Sequence, residues 1–368
     1  MIGLSYKKNF HQVVERHRLL WSKQLQNGIL AILDTADAPC DPYNLPQPYQ
    51  KSEYDPLAQS PNIEKMYRAW DLCFRLRKAL LDDWLPVARV GLGGYELGGM
   101  LGGELVFEGG APWLRRPLLD SWDLLDSLSF SMDGYWCKHR AEMCRYFSDH
   151  ANGKFACCEG DNFTAMNLVE LLRGSKAYLD VIDHPDKCRE AITKGTRWNR
   201  ELISLQRTLL DRVRTYGYGS FSNFYVFLPG NAVWLSMDFY GQCAKGLYAQ
   251  IGRQEDQSLI DELGGAFVHM HSNGLHVLQD VVSLNNIKGL QIWEDPLPSK
   301  RPFDILKEIL HTTKQIPLYV SCQYDEFTKG LRDKTLPGGL LYEVKDVPSI
   351  EVGNRLMQDV HGYHAPNS

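Results

Sequence analysis

Through the second half of the chain, short runs of consecutive apolar residues alternate with longer stretches in which apolar positions recur at helical spacing. The runs predict strands over 222–227, 233–237, 266–270, 290–293, 318–321 and 340–344. Helices are predicted between and after them, over 242–250, 275–282, 303–313, 325–332 and 350–363. A strand that is apolar at nearly every position is covered on both faces, and strands that alternate with helices run parallel. Two further strands, over 86–90 and 154–158, bring the count to about eight. The predicted fold class is α/β, a (β/α)8 TIM barrel whose first strand is 86–90.

Ahead of that strand the pattern changes. Val13, Leu19, Leu20, Leu25, Ile29 and Ile32 share one broad face of a helix predicted over 7–34. Residues 38–61 are rich in Pro, Asp, Tyr and Gln, which predicts an extended surface connection placed to serve also as a lid. The domain organisation is then an N-terminal helical extension and surface connection over 1–60, followed by a barrel over 61–368. A helix over 62–83, capped by Asn62, leads into the first strand. Seven glycines between Gly91 and Gly103 predict irregular backbone behind it. Helices over 121–128, 136–149, 162–172 and 185–216 complete the first half, the last with Asp183 as candidate cap and Pro185 in its first turn. No internal repeat is visible, which excludes a solenoid.

At 368 residues, 44% hydrophobic and 23% charged, the chain can bury one large core. A net charge of −5 with scattered Lys and Arg supplies no basic field, so nucleic acid is not an expected partner. No apolar run is long enough to span a bilayer and the first residues lack an apolar signal core, so the expected location is the cytoplasm, away from any membrane. Nine cysteines form no even framework and fit a reducing compartment, most of them as small buried residues. The adjacent Cys157 and Cys158 after a predicted strand are candidates for more.

The candidate chemistry gathers at predicted strand ends. His269 and His271 follow one apolar run and Cys322 another. Strands of one parallel barrel share a rim at their carboxyl ends, where two imidazoles and a thiolate can hold a zinc ion and leave its fourth position open. The same residues also serve as ordinary polar positions in loops. His276 is a candidate fourth ligand, a donor behind a ligating side chain, or a cap residue. Asp238 and Glu294, each just past a strand, are candidate catalytic carboxylates that could orient an imidazole or act as general base. Arg115 and Arg116 beside Trp113 could bind an anion, and Tyr95, Tyr225, Trp234, Phe239 and Trp293 could wall a pocket for a small-molecule substrate. The glycine-rich stretch fits neither the dinucleotide fingerprint nor the P-loop, so no nucleotide is expected.

From about Gly91 onward, the stretches GGMLGGELVFEGGAPWLRRPLLDSWDLLDSL, LPGNAVWLSMDFYGQCAKGLYAQI, DELGGAFVHMHSNGLHVLQDVVSLNNIKGLQIWEDP and PLYVSCQYDEFTKGL occur in an order that resembles the uroporphyrinogen decarboxylase superfamily. That superfamily also holds zinc-dependent corrinoid methyltransferases. True decarboxylases carry an N-terminal arginine motif, which has no counterpart before Gly91, and an aspartate after the first barrel strand, where this chain has Gly91, Leu92, Gly93 and Gly94. Thiol-methylating members bind zinc through a His-x-Cys pair and a later Cys. The chain resembles that plan with His269 and His271 as the pair and Cys322 as the later ligand. The resemblance implies a methyltransferase that uses zinc and takes a methyl group from a corrinoid protein, its partner, or from another methylated donor, and passes it to a thiol or similar acceptor. A decarboxylase acting on a carboxylated ring and a non-catalytic corrinoid- or small-ligand-binding barrel are the alternatives.

Overall fold

The computed structural model describes residues 3–42, 62–108, 111–160, 162–295, 300–314 and 316–366. Eight strands follow one another along the chain in the way a (β/α)8 arrangement requires: β1 (Ile29–Thr35), β2 (Val87–Val90), β3 (Ala156–Glu159), β4 (Val233–Ser236), β5 (Ala266–His271), β6 (Ile287–Trp293), β7 (Leu318–Gln323) and β8 (Leu340–Val347). Six form one parallel sheet in the order β1-β8-β7-β6-β5-β4, while β2 and β3 pair separately, also in parallel. The ring is not closed. Among the described residues, β3 and β4 are linked only by the bridge between Phe163 and Ser236, and no ladder joins β1 to β2.

Two expectations are corrected. Residues 7–34 are not one helix: a helix over Phe10–Trp21 ends in a turn, and Ile29–Thr35 is the strand that pairs with the last one. Its run ILAILDT is buried almost throughout, the signature of a strand covered on both faces. The run expected as a strand over 222–227 is instead an antiparallel hairpin, Ser220–Ser222 with Val226–Leu228, whose turn places Tyr225 in the left-handed region at φ 61°. Of the connection over 38–61 expected to serve as a lid, residues 43–61 lie outside the described residues.

The pleat divides the core in two. Ile29, Leu290, Leu318, Val320 and Tyr342 face the helices, whereas Leu30, Ile32, Phe267, Tyr319 and Leu341 face inward. The helix Phe10–Trp21 closes the lower end of the inner core, where the Trp21 ring meets Phe267 at 5.7 Å. Gly289 makes this possible, because a Cβ there would lie 2.6 Å from Trp21 and 3.0 Å from Phe267.

At the β1–β2 seam, carboxylates replace a neighbouring strand. Asp83 accepts the amide of Ala31 at 2.9 Å and Asp82 that of Leu33 at 3.0 Å. Cations then neutralise the carboxylates: Arg16 holds Asp83 at 2.6 Å, Lys7 holds Asp82 at 2.9 Å, and Arg77 bonds Asp82 together with the carbonyls of Leu33 and Ala38. Burial alone would raise the Asp82 carboxyl, but Arg77 and then Lys7 hold it below its ordinary value of 3.8.

Asp82→Ala should cost on the order of 3–5 kcal/mol, since it strands two buried cations and an edge amide, and urea denaturation should show a correspondingly lower midpoint. In the native protein the contribution of Asp82 is fully present above the ordinary carboxyl value. It should be lost as pH falls through the depressed folded value, so acid titration should destabilise the native protein more than Asp82→Ala.

Candidate metal centre

Side chains two apart on a strand share a face, so Phe267, His269 and His271 of β5 all point inward. Register places Gln291 of β6 beside His269, and Tyr319 of β7 beside Gln291. On the other side Ser236 of β4 pairs with His269, and the Met237 amide bonds the His269 carbonyl at 2.9 Å. The chain then turns sharply through Asp238–Gln242, and Asp238 is brought over both imidazoles.

Asp238 Oδ1 lies 3.5 Å from His269 Nε2 and 3.5 Å from His271 Nε2, and the three donor atoms fall within 4.8 Å of one another. Metal bonds of about 2.1 Å at a tetrahedral centre set neighbouring donors roughly 3.4 Å apart, so the spacing fits a small divalent cation. The far side of each ring is tied. His269 Nδ1 lies 2.6 Å from Gln291 Oε1, and His271 Nδ1 lies 2.6 Å from Asp295 Oδ1. An acceptor at Nδ1 places the proton there and leaves the Nε2 lone pair aimed at Asp238, the arrangement of a metal-binding imidazole. Asp238 Oδ1 is enclosed and makes no hydrogen bond among the described residues, which is what a ligating oxygen looks like before its ion is counted.

Asp295 is itself well held, by the Ser272 hydroxyl and the Asn273 amide at 3.0 Å each. Burial works against its charge, yet the bond from His271 and those from Asn273 and Ser272 keep its carboxyl below the ordinary range. His269 packs against both Phe224, at 5.3 Å, and Trp234, at 5.9 Å between ring centres, which fixes the imidazole plane. The donor set opens on a cavity of roughly 480 Å³, a size suited to a small ligand.

Cys322 is not part of this cluster. It lies on β7 one position out of phase with Tyr319 and Ser321, so it faces the outer core with Val320, Phe327 and Tyr342. Burial there pushes its thiol far up, the opposite of what a zinc thiolate needs. Asp238, expected as a general base or an orienting group, stands where the third ligand was expected. Glu294 pairs with Arg301 at 3.1 Å, beside the two-pronged Arg301–Glu326 bridge. His276 rests against the carbonyls of Asn273 and Cys243, away from the cluster. Tyr225, Trp234 and Trp293 line the cavity, but Tyr95 packs at a tilt against Trp113 and Phe239 stacks on Tyr178. Cys157 and Cys158 are buried, and Arg115 pairs with Glu104 on the surface.

Gln291, Asp295 and Phe224 had no signal of their own in the sequence. The first could have been found by carrying the inward face of β5 across to β6.

No family model matches the chain, and no curated protein does. Among solved structures, a methyltransferase from Methanosarcina mazei is similar at a TM-score of 0.62 and 10% identity, over 95% of this chain and 98% of that one. At that identity the likeness is one of fold. No described helix is long and apolar enough to cross a membrane.

Asp238→Ala and His269→Ala should each weaken zinc binding by at least about 100-fold, and Asp295→Asn by roughly 10- to 100-fold, measured by competition with a chromogenic chelator. Cys322→Ser should lower stability while leaving the zinc stoichiometry unchanged; loss of zinc in that variant alone would overturn the ligand set.

Proposed function

We propose that the protein is a metal-dependent methyltransferase of the uroporphyrinogen decarboxylase superfamily, built on a (β/α)8 barrel and working in the cytoplasm. Its ion, zinc in this reading, is held by Asp238, His269 and His271. The methyl group passes from a corrinoid protein or another methylated donor to a thiol or similar acceptor. The observation that carries the reading is the convergence of Asp238 Oδ1 with two Nε2 atoms whose rings are each fixed from behind. The motif order from Gly91 onward and the fold shared with a methyltransferase support it.

Two imidazoles and one carboxylate leave a coordination position open, as a catalytic site requires. Zinc in that set would lower the pKa of a bound thiol and so supply a nucleophile near neutral pH. The chain's own part is positional. Gln291 and Asp295 fix the tautomers, Phe224 and Trp234 keep the His269 plane and limit water around it, and the cavity beside them gives the reactants room.

Zinc-loaded protein given methylcobalamin and a panel of small thiols should form the methyl thioether, read by mass spectrometry. Asp238→Ala should reduce the rate by at least about 100-fold, since the ligand set acts as a unit. A fully zinc-loaded protein that methylates no thiol from this or any other methyl donor would sink the proposal.

A further inference from the structure

The cavity beside the metal centre has a character that the ion does not explain. Among the described residues, its charged lining consists of Asp34, Asp41, Asp238 and Glu343 against the guanidinium of Arg89. Removing Asp238, which is committed to the ion, still leaves an acidic wall built from β1, β8 and the residues after β1. The same cavity is lined by the rings of Trp70, Phe224, Tyr225, Trp234, Trp293 and Tyr319, the Tyr225 hydroxyl donating to Asp41 at 2.9 Å. Aromatic faces carry negative charge density, so rings and carboxylates together favour a cation.

A buried donor adds a second requirement. Trp234 lines the cavity, and its Nε1 is enclosed and has no acceptor among the described residues. Such a donor is costly unless a ligand or water supplies an oxygen.

We infer that this cavity binds a cationic amine that also carries an oxygen acceptor, with Asp34 and Glu343 paired to the cation and the aromatic rings enclosing its alkyl groups. The inference rests on the proposed methyl transfer, in which such an amine is the methylated donor. The electron pair of the thiol sulfur forms the S–C bond, the C–N bond breaks with its pair going to nitrogen, a neutral amine leaves, and the thiol proton goes to solvent.

The state of the two carboxyls agrees. Burial raises both Asp34 and Glu343, and Asp34 raises Glu343 further, while Arg77 and Lys345 lower both. Asp346 adds to the rise at Asp34, and bonds from Cys40 to Asp34 and from Ser321 to Glu343 oppose it. Arg77 and Lys345 thus act on both carboxyls without outweighing their burial, and a ligand's cation would add to that effect.

Tryptophan fluorescence titration with choline and its neutral isostere 3,3-dimethylbutan-1-ol tests this, on chelator-treated and on zinc-loaded protein. Choline should bind about tenfold more tightly or better. Asp34→Asn and Glu343→Gln should each remove most of that preference and leave the affinity for the alcohol unchanged. Equal binding of the alcohol, or tighter binding of ethanesulfonate, by the native protein would overturn the inference whether or not the variants fold. Choline preference in a protein that takes up no zinc would support the ligand class and sink the metal reading. Zinc uptake without choline preference would do the reverse.

Discussion

The alternation of side chains along β5 is the constraint on which the site depends. Because Phe267, His269 and His271 share one face, a single strand delivers a ring to the floor of the inner core and two imidazoles above it. Parallel register then repeats the layer on the neighbours, with Gln291 beside His269 and Tyr319 beside Gln291. A shift of one residue in any of these pairings would exchange inner for outer side chains and dismantle the layer. Cys322 shows the same rule from the other side, since its place in the pleat sends it to the helices however close its strand runs.

Holding that layer in place falls to contacts well below it. Among the described residues no strand satisfies the amides at the seam beside β1, and two carboxylates stand in for one, Asp83 neutralised by Arg16 and Asp82 by Lys7 and by Arg77 of the helix Ile63–Arg77. A charge cluster this deep is tolerable only when every member is paired. The Trp21 ring, admitted by Gly289, closes the floor on which Phe267 rests. The N-terminal residues are thus part of the frame that keeps the inner face of β5 steady.

The two imidazoles are not equivalent. His269 is buried against aromatic rings and tied to a neutral amide, whereas His271 is nearer the rim and tied to a carboxylate that takes two further donors. A carboxylate behind an imidazole makes it the stronger electron donor, so the pair combines one fixed and one more basic ligand. The acidic, ring-lined cavity shares His269 and Asp238 with the ion site, which ties whatever occupies it to the metal chemistry.

Much of the plan was legible in the chain. Continuous apolar runs announced the parallel strands at 233–237, 266–270, 290–293, 318–321 and 340–344, and i,i+2 spacing announced that His269 and His271 face one way. The first strand was not legible, because ILAILDT follows a true helix and its Ile29 and Ile32 fall in step with the helical face, although the chain turns between Trp21 and Ile29. Nor was the choice between Asp238 and Cys322. Both follow strands, both are metal-competent, and local sequence carries no record of the phase of one pleat against another. Residue type and spacing determined which strands could exist and which side chains could bind an ion. Only the packed sheet decided which of them meet, because register and facing are fixed by pairings between segments far apart in the chain.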